Sequence, residues 1–281
     1  MDKHIIEIKD IIRNALSEDI GLGDITSESI IPENETAKAV FLAKETCIVC
    51  GIQVAALVFK ITDPDINFKT QLKDSDTVKK GKVIASVSGR ARSILAGERV
   101  ALNFLSHLSG ISTKTHAFAA MVKPYKTKIL DTRKTSPGLR LLEKYAVRMG
   151  GGYNHRFGLD EMLLIKDNHI RIAGGLDKIK ALPANYKTEI EVKNLKEFES
   201  ALRLKPDIIM LDNMNYKDMK QAVKLRNNLS PQKGNPSPKL EASGGISLKN
   251  VKKIASTGID MISIGSLTHS VEAIDISLEF S

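Results

Sequence analysis

Tryptophan is absent, and the aromatic residues together make up only 5% of the chain. A base-stacking platform for nucleic acid interleaves aromatic faces with cations, so the formal charge of +9 finds little support as a nucleic-acid footprint. The lysines are scattered through every predicted helix, the pattern of a solvated surface. A noncatalytic binder of nucleic acid or phosphorylated ligands is the reading that charge alone leaves open. Cysteine is scarce too. Cys47 and Cys50 stand in AVFLAKETCIVCGI (39–52), with no second Cys or His pair at metal-site spacing. They read as unpaired, partly buried thiols rather than as metal ligands or a redox pair.

No run is long and apolar enough to span a bilayer. The stretch MDKHIIEIKDIIRNALSED (1–19) carries Ile5, Ile8, Ile12 and Leu16 at helical spacing, an amphipathic helix rather than a signal peptide. A cytoplasmic protein without nucleic-acid or membrane partners is expected. No Gly-x-Gly-x-x-Gly follows the first strand of the parallel region described below, which disfavours a dinucleotide-binding domain.

What is present is an ordinary globular mixture, 42% hydrophobic and 27% charged over 281 residues, in two rhythms. From residue 1 to about 110, short alternating segments (Ala37 to Ala43, Lys82 to Ser88) mix with helices near Gln53 to Ile61 and Glu98 to Leu108, an α+β unit. From about residue 127, KILD, MLLIK, EIEV, DIIMLD, KLEAS and DMISIG each precede a helical stretch. That repetition of six evenly spaced units predicts a parallel sheet closed into an α/β barrel rather than left open. The segment NNLSPQKGNPSPKL (227–240) reads as a surface loop on the face away from chemistry.

In such a barrel the carboxyl ends of the strands converge on one face. Those ends hold Asp131-Thr132-Arg133-Lys134, Lys166-Asp167-Asn168-His169, Glu191, Asp212-Asn213, Ser243-Gly244-Gly245 and Gly265-Ser266. Singly, each is also explained by helix capping, snorkelling or a turn; as a set they point to chemistry. Arg133, Lys134, Arg156 and Lys166 suit a small polyanion. Glu191 and Asp212 suit Mg2+ alongside substrate oxygens, with a salt bridge to lysine as the other reading. Ser243 to Ser247 before a helix suits a phosphate or a plain turn, with Gly265-Ser266 as a second wall. In MGGGYNHRFG (149–158) the glycines either let the backbone approach a ligand beside His155-Arg156 or form a loop without function.

Several blocks resemble the quinolinate phosphoribosyltransferases: EDIGLGDITS (18–27), GERVALNFLSHLSGIST (97–113), DTRKTSPGLRLLEKYAVRMGGGYNHRFGLDEMLLIKDNHI (131–170), MLDN (210–213), LEASGGI (240–246) and IGSLTHS (264–270). The resemblance implies an N-terminal open α/β sandwich (1–110), an incomplete parallel α/β barrel (111–270), and a C-terminal segment (271–281) returning to the first domain through the chain's last helix. It implies a pocket of Arg133, His155, Arg156 and Lys166 for pyridine-2,3-dicarboxylate, with Thr132 and Ser266 also among the binding residues. Lys134 and Lys166 would face the diphosphate of phosphoribosyl diphosphate. Glu191 and Asp212 would serve the ribose hydroxyls and Mg2+, partly through substrate or water. Ser243, Gly244, Gly245 and Gly265 would take the 5-phosphate. Catalysis falls to Lys134, Lys166, Glu191 and Asp212. Arg99, assisted by Lys44, would act across the interface of a homodimer or a hexamer of dimers. A paralogue linked to metal transport is the neighbouring alternative, opposed by the intact TRK, NHR and KDNH segments. The chain departs from the family pattern at Lys193, at Ser106-His107 and near 230–238.

Overall fold

The computed structural model describes residues 2–179, 181–183, 185–229 and 237–281. Residues 230–236 of the predicted loop lie outside them. In order the chain forms α1 (Asp2–Ile20), α2 (Ile25–Ile30), β1 (Thr36–Ala43), β2 (Cys47–Ile48), α3 (Ile52–Thr62), β3 (Asn67–Lys69), β4 (Thr77–Val78), β5 (Val83–Arg90), α4 (Ala91–Val122) and β6 (Lys128–Leu130). There follow α5 (Arg140–Met149), β7 (Leu163–Ile165), α6 (Asp167–Ile172), β8 (Thr188–Val192), α7 (Leu195–Arg203), β9 (Ile208–Asp212), α8 (Tyr216–Asn227), β10 (Lys239–Ser243), α9 (Val251–Ala255), β11 (Met261–Ser263), α10 (Ser266–His269) and β12 (Ile276–Phe280). Two compact units result. One comprises Met1–His116, Thr135–Gly151 and Leu267–Ser281, the other Ala117–Lys134 and Gly152–Ser266.

The first unit is built on an antiparallel sheet ordered β12-β1-β5-β3. Alternation along TAKAVFLA buries Ala39, Phe41 and Ala43 on one face of β1. Phe41 meets Phe59 of α3 and Phe68 of β3 at centroid separations of 6.0 and 5.9 Å, which seats α3 on the sheet. Cys47 and Cys50 are buried free thiols, and burial pushes the Cys47 thiol up to about 11, so neither is poised to react. His107 and Ser106 prove structural. The His107 ring lies 2.9 Å from the buried carboxylate of Glu143 on α5, and the Ser106 carbonyl accepts from the Ile274 amide.

Three readings change here. The helix predicted over Glu98 to Leu108 is part of the 32-residue α4, which runs straight through Gly97 and Gly110. The chain's last regular element is a strand, not a helix: β12 pairs antiparallel with β1, Ile276 opposite Ala43 and Phe280 opposite Ala39. Pairing with β1 satisfies backbone groups that would otherwise form an open sheet edge. Gly150, in the glycine run, serves packing: a Cβ there would lie 2.4 Å from the Ser112 carbonyl oxygen on α4.

The second unit holds six parallel strands ordered β6-β11-β10-β9-β8-β7. Among the described residues β6 and β7 are not paired with each other, so the barrel is incomplete. Tyr153 extends the β6 edge by a parallel bridge to Leu130. Register pairs Glu189 with Ile208, both Glu191 and Glu241 with Met210, and Ser243 with Asp212. Because side chains two apart share a face, one face carries Glu189, Glu191, Asp212, Glu241 and Ser243. It also carries an apolar cluster of Leu130, Met162, Ile208 and Met261. No described helix is long and apolar enough to cross a membrane.

Candidate active site

The basic side of the site starts at the end of β6. Asp131 is fully buried and accepts from the Asn154 side-chain amide at 2.5 Å and the His155 backbone N–H at 2.8 Å, which fixes the segment 154–156 against the strand. Thr132 Oγ1 accepts from the Lys134 N–H at 3.0 Å, a local turn between Asp131 and Lys134. Arg156 is buried and donates from Nη1 to the Met162 carbonyl at 2.9 Å. Burial, and then the Arg133 guanidinium, hold Arg156 below the usual arginine range, with Glu189 working the other way. Two neighbouring guanidiniums are a poor arrangement for stability and a good one for an anion.

Across β7 and β8 the charges alternate. Lys166 Nζ stands 3.8 Å from Glu191 Oε2, and Lys193 Nζ is 2.9 Å from Asp167 Oδ2. Lys193 thus has its own acid. The Glu191 carboxyl is raised chiefly by burial; Lys166 lowers it, and Asp212 raises it further by repulsion. Two carboxylates that repel at the mouth fit a divalent cation, which would relieve that repulsion.

After β10, Gly244 and Gly245 have φ of +87° and +61°. A Cβ on Gly244 would fall 2.2 Å from Asn213 Oδ1, so a side chain here would have to displace the Asn213 amide and hold a left-handed backbone. Asn213 itself has φ 53° and donates its N–H to the Ser243 carbonyl at 2.8 Å. The helix that follows this segment, α9, begins at Val251, and the Ser247 N–H is taken by Asn250 Oδ1 at 2.8 Å. Gly265 and Ser266 lead into the short α10. Two named residues belong to the first unit. Arg99 is exposed on α4, and Lys44, just after β1, pairs with Glu279 of β12.

Two family models match the chain: the N-terminal domain of quinolinate phosphoribosyl transferase over residues 24–109, and its C-terminal domain over 111–279. The chain belongs to this family. It is 44% identical over 275 residues to a probable nicotinate-nucleotide pyrophosphorylase (carboxylating) of Methanocaldococcus jannaschii, covering 96% of this chain and 95% of that one. Identity to the protein of the same name in Bacillus subtilis is 39% over 279 residues, covering 98% and 93%. The solved nicotinate-nucleotide pyrophosphorylase of Francisella tularensis superposes with a TM-score of 0.90 at 41% identity, covering 98% of this chain and 96% of that one.

Sequence reasoning passed over one group in this quinolinate phosphoribosyl transferase chain. Glu189 and Glu241 are fully buried on the same face as Glu191 and Ser243. His155 extends its ring between them, Nε2 lying 2.9 Å from Glu189 Oε2 and 3.8 Å from Glu241 Oε1. Burial first pushes Glu189 up to about 7 and Glu241 up to about 8. The signal was available: in EIEV and KLEAS, period-2 alternation puts Glu189 with Glu191 and Glu241 with Ser243.

Proposed function

We propose that this chain is a nicotinate-nucleotide pyrophosphorylase (carboxylating) of de novo NAD biosynthesis. It converts quinolinate and phosphoribosyl diphosphate to nicotinate mononucleotide, diphosphate and carbon dioxide. The observation that carries the proposal is a basic group, Arg133 and Lys166 with Arg156 from the loop before β7, together with an acidic pair, Glu191 and Asp212, at or beside strand ends of one parallel sheet. Quinolinate offers two adjacent carboxylates to the guanidinium forks. Lys134 and Lys166 serve the diphosphate, Thr132 is a further binding residue, and the turn from Ser243 to Gly245 with Gly265 and Ser266 receives the 5-phosphate.

The bond from ribose C1 to the diphosphate oxygen breaks with its electron pair leaving on diphosphate, and the pyridine nitrogen lone pair forms the new bond to C1. Lysines aimed at the leaving group favour the departing charge over the bound ester, the differential binding that lowers a barrier. The ring nitrogen, now cationic, draws the electron pair of the C2–carboxylate bond as carbon dioxide leaves, and C2 takes up a proton. Mg2+ held by Glu191 and Asp212, partly through substrate or water, would supply further positive charge at the diphosphate. Arg99 completes the site of a neighbouring subunit, with Lys44 assisting, in a homodimer or a hexamer of dimers. The test is incubation of purified protein with quinolinate, phosphoribosyl diphosphate and Mg2+, with nicotinate replacing quinolinate in a parallel reaction. Nicotinate mononucleotide should form from quinolinate alone; equal turnover of nicotinate would refute the assignment.

A further inference from the structure

The segment Asn154-His155-Arg156 is held from two sides by acids that themselves stay out of the mouth. Asp131 grips its backbone from β6, as described above. On the other side the His155 ring runs inward. Its Nδ1 accepts from the Arg156 backbone N–H at 2.8 Å, so Nδ1 carries no proton and the neutral ring is protonated on Nε2. Nε2–H therefore donates to Glu189 Oε2 at 2.9 Å.

The ligand atoms of His155, Glu189 and Glu241 lie within 4.8 Å of one another, a spacing that would also suit a metal ion. The tautomer argues against one. A metal on Nε2 normally leaves Nδ1–H to donate to an acceptor, whereas here Nδ1 faces a backbone donor. With Nε2 metallated, the ring would have to become an imidazolate to keep that contact.

We infer that Glu189 is a positioning residue: its carboxylate, through the His155 ring, fixes the Arg156 amide and so sets the direction of the Arg156 guanidinium. This rests on the quinolinate-binding function proposed above and adds to it a residue that need not touch substrate. Glu189 is fully buried, and among the described residues its remaining oxygen, Oε1, has no hydrogen-bond partner. The strand thus carries two acids with separate duties, Glu191 at the mouth and Glu189 beneath it.

The test compares Glu189→Gln and Glu189→Ala with the wild type. Glutamine keeps a carbonyl acceptor for Nε2–H; alanine does not. Glu189→Ala should raise the quinolinate KM about tenfold or more while kcat changes little, the size expected for losing a charge-assisted hydrogen bond. Glu189→Gln should stay within about threefold of wild type on the same scale. An Ala variant with unchanged KM, or a Gln variant as impaired as Ala, overturns the inference. The His155 tautomer, read by nitrogen-15 NMR on the ligand-free wild type, requires no variant to fold. Nε2–H supports the inference, and a dominant Nδ1–H form overturns it. Since that measurement needs no substrate, a wild type that fails to turn over quinolinate would count against the proposed function and leave the positioning role to be decided by the ring.

Discussion

Lys166 reaches from the end of β7 toward Glu191 on β8, its Nζ 3.8 Å from Oε2, while Lys193, just after β8, returns the contact to Asp167 at 2.9 Å. The Lys166 side chain is 47% exposed, and its pair is long. An ion pair of this kind contributes about 0–1 kcal/mol to folding. Lys166→Ala should therefore shift stability by less than about 1 kcal/mol in chemical denaturation while abolishing turnover. A variant that loses stability and activity in proportion would make Lys166 a structural residue.

The same variant tests the assembly. Arg99→Ala and Lys166→Ala chains should each be inactive. After subunit exchange, half of randomly paired dimers are mixed, and each mixed dimer has one site with both residues intact. Activity should rise toward about a quarter of wild type, as two-fold symmetry requires. Exchange confirmed with tagged chains but without recovery would show that Arg99 does not act across an interface.

Arg156→Ala and Arg133→Ala should weaken quinolinate binding at least about tenfold, since each guanidinium contributes a charge-assisted contact. Calorimetric titration of folded variants would measure it. Unchanged affinity in both would remove the basic pocket from the account.

Much of this site was legible because strand ends in a parallel barrel announce themselves. KILD, EIEV and DIIMLD end where β6, β8 and β9 end, to within a residue. What escaped was the interior. Glu189 and Glu241 share a face with the mouth residues, but a barrel core is expected to be apolar, so sequence pattern points to the polar rim and not to them. The length of α4 escaped because a glycine tolerated by close packing looks the same in sequence as one that ends a helix. The strand at β12 depends on β1, more than two hundred residues earlier in the chain, and no local pattern encodes that partner.

Glu241 predicts an acid-dependent stability. Glu241 is fully buried, and among the described residues His155, Glu189 and Ser263 are its polar neighbours. Burial, then repulsion from Glu189, raises its carboxyl to about 8 in the folded chain. Unfolded, it titrates near about 4.3. Between these values the unfolded chain has lost the proton that the folded chain keeps, so stability falls as pH rises. Glu241→Gln removes this loss. Its melting temperature should match wild type near pH 4 and exceed it increasingly toward pH 8. A difference independent of pH would contradict the assignment of Glu241 as a raised acid.

The chemistry itself is tested most directly by the fate of the carboxylate beside the ring nitrogen. With quinolinate carbon-13 labelled at the 2-carboxylate, the account predicts labelled carbon dioxide, diphosphate and nicotinate mononucleotide in equal amounts, dependent on phosphoribosyl diphosphate. Label retained in the nucleotide, or diphosphate released without carbon dioxide, would contradict it.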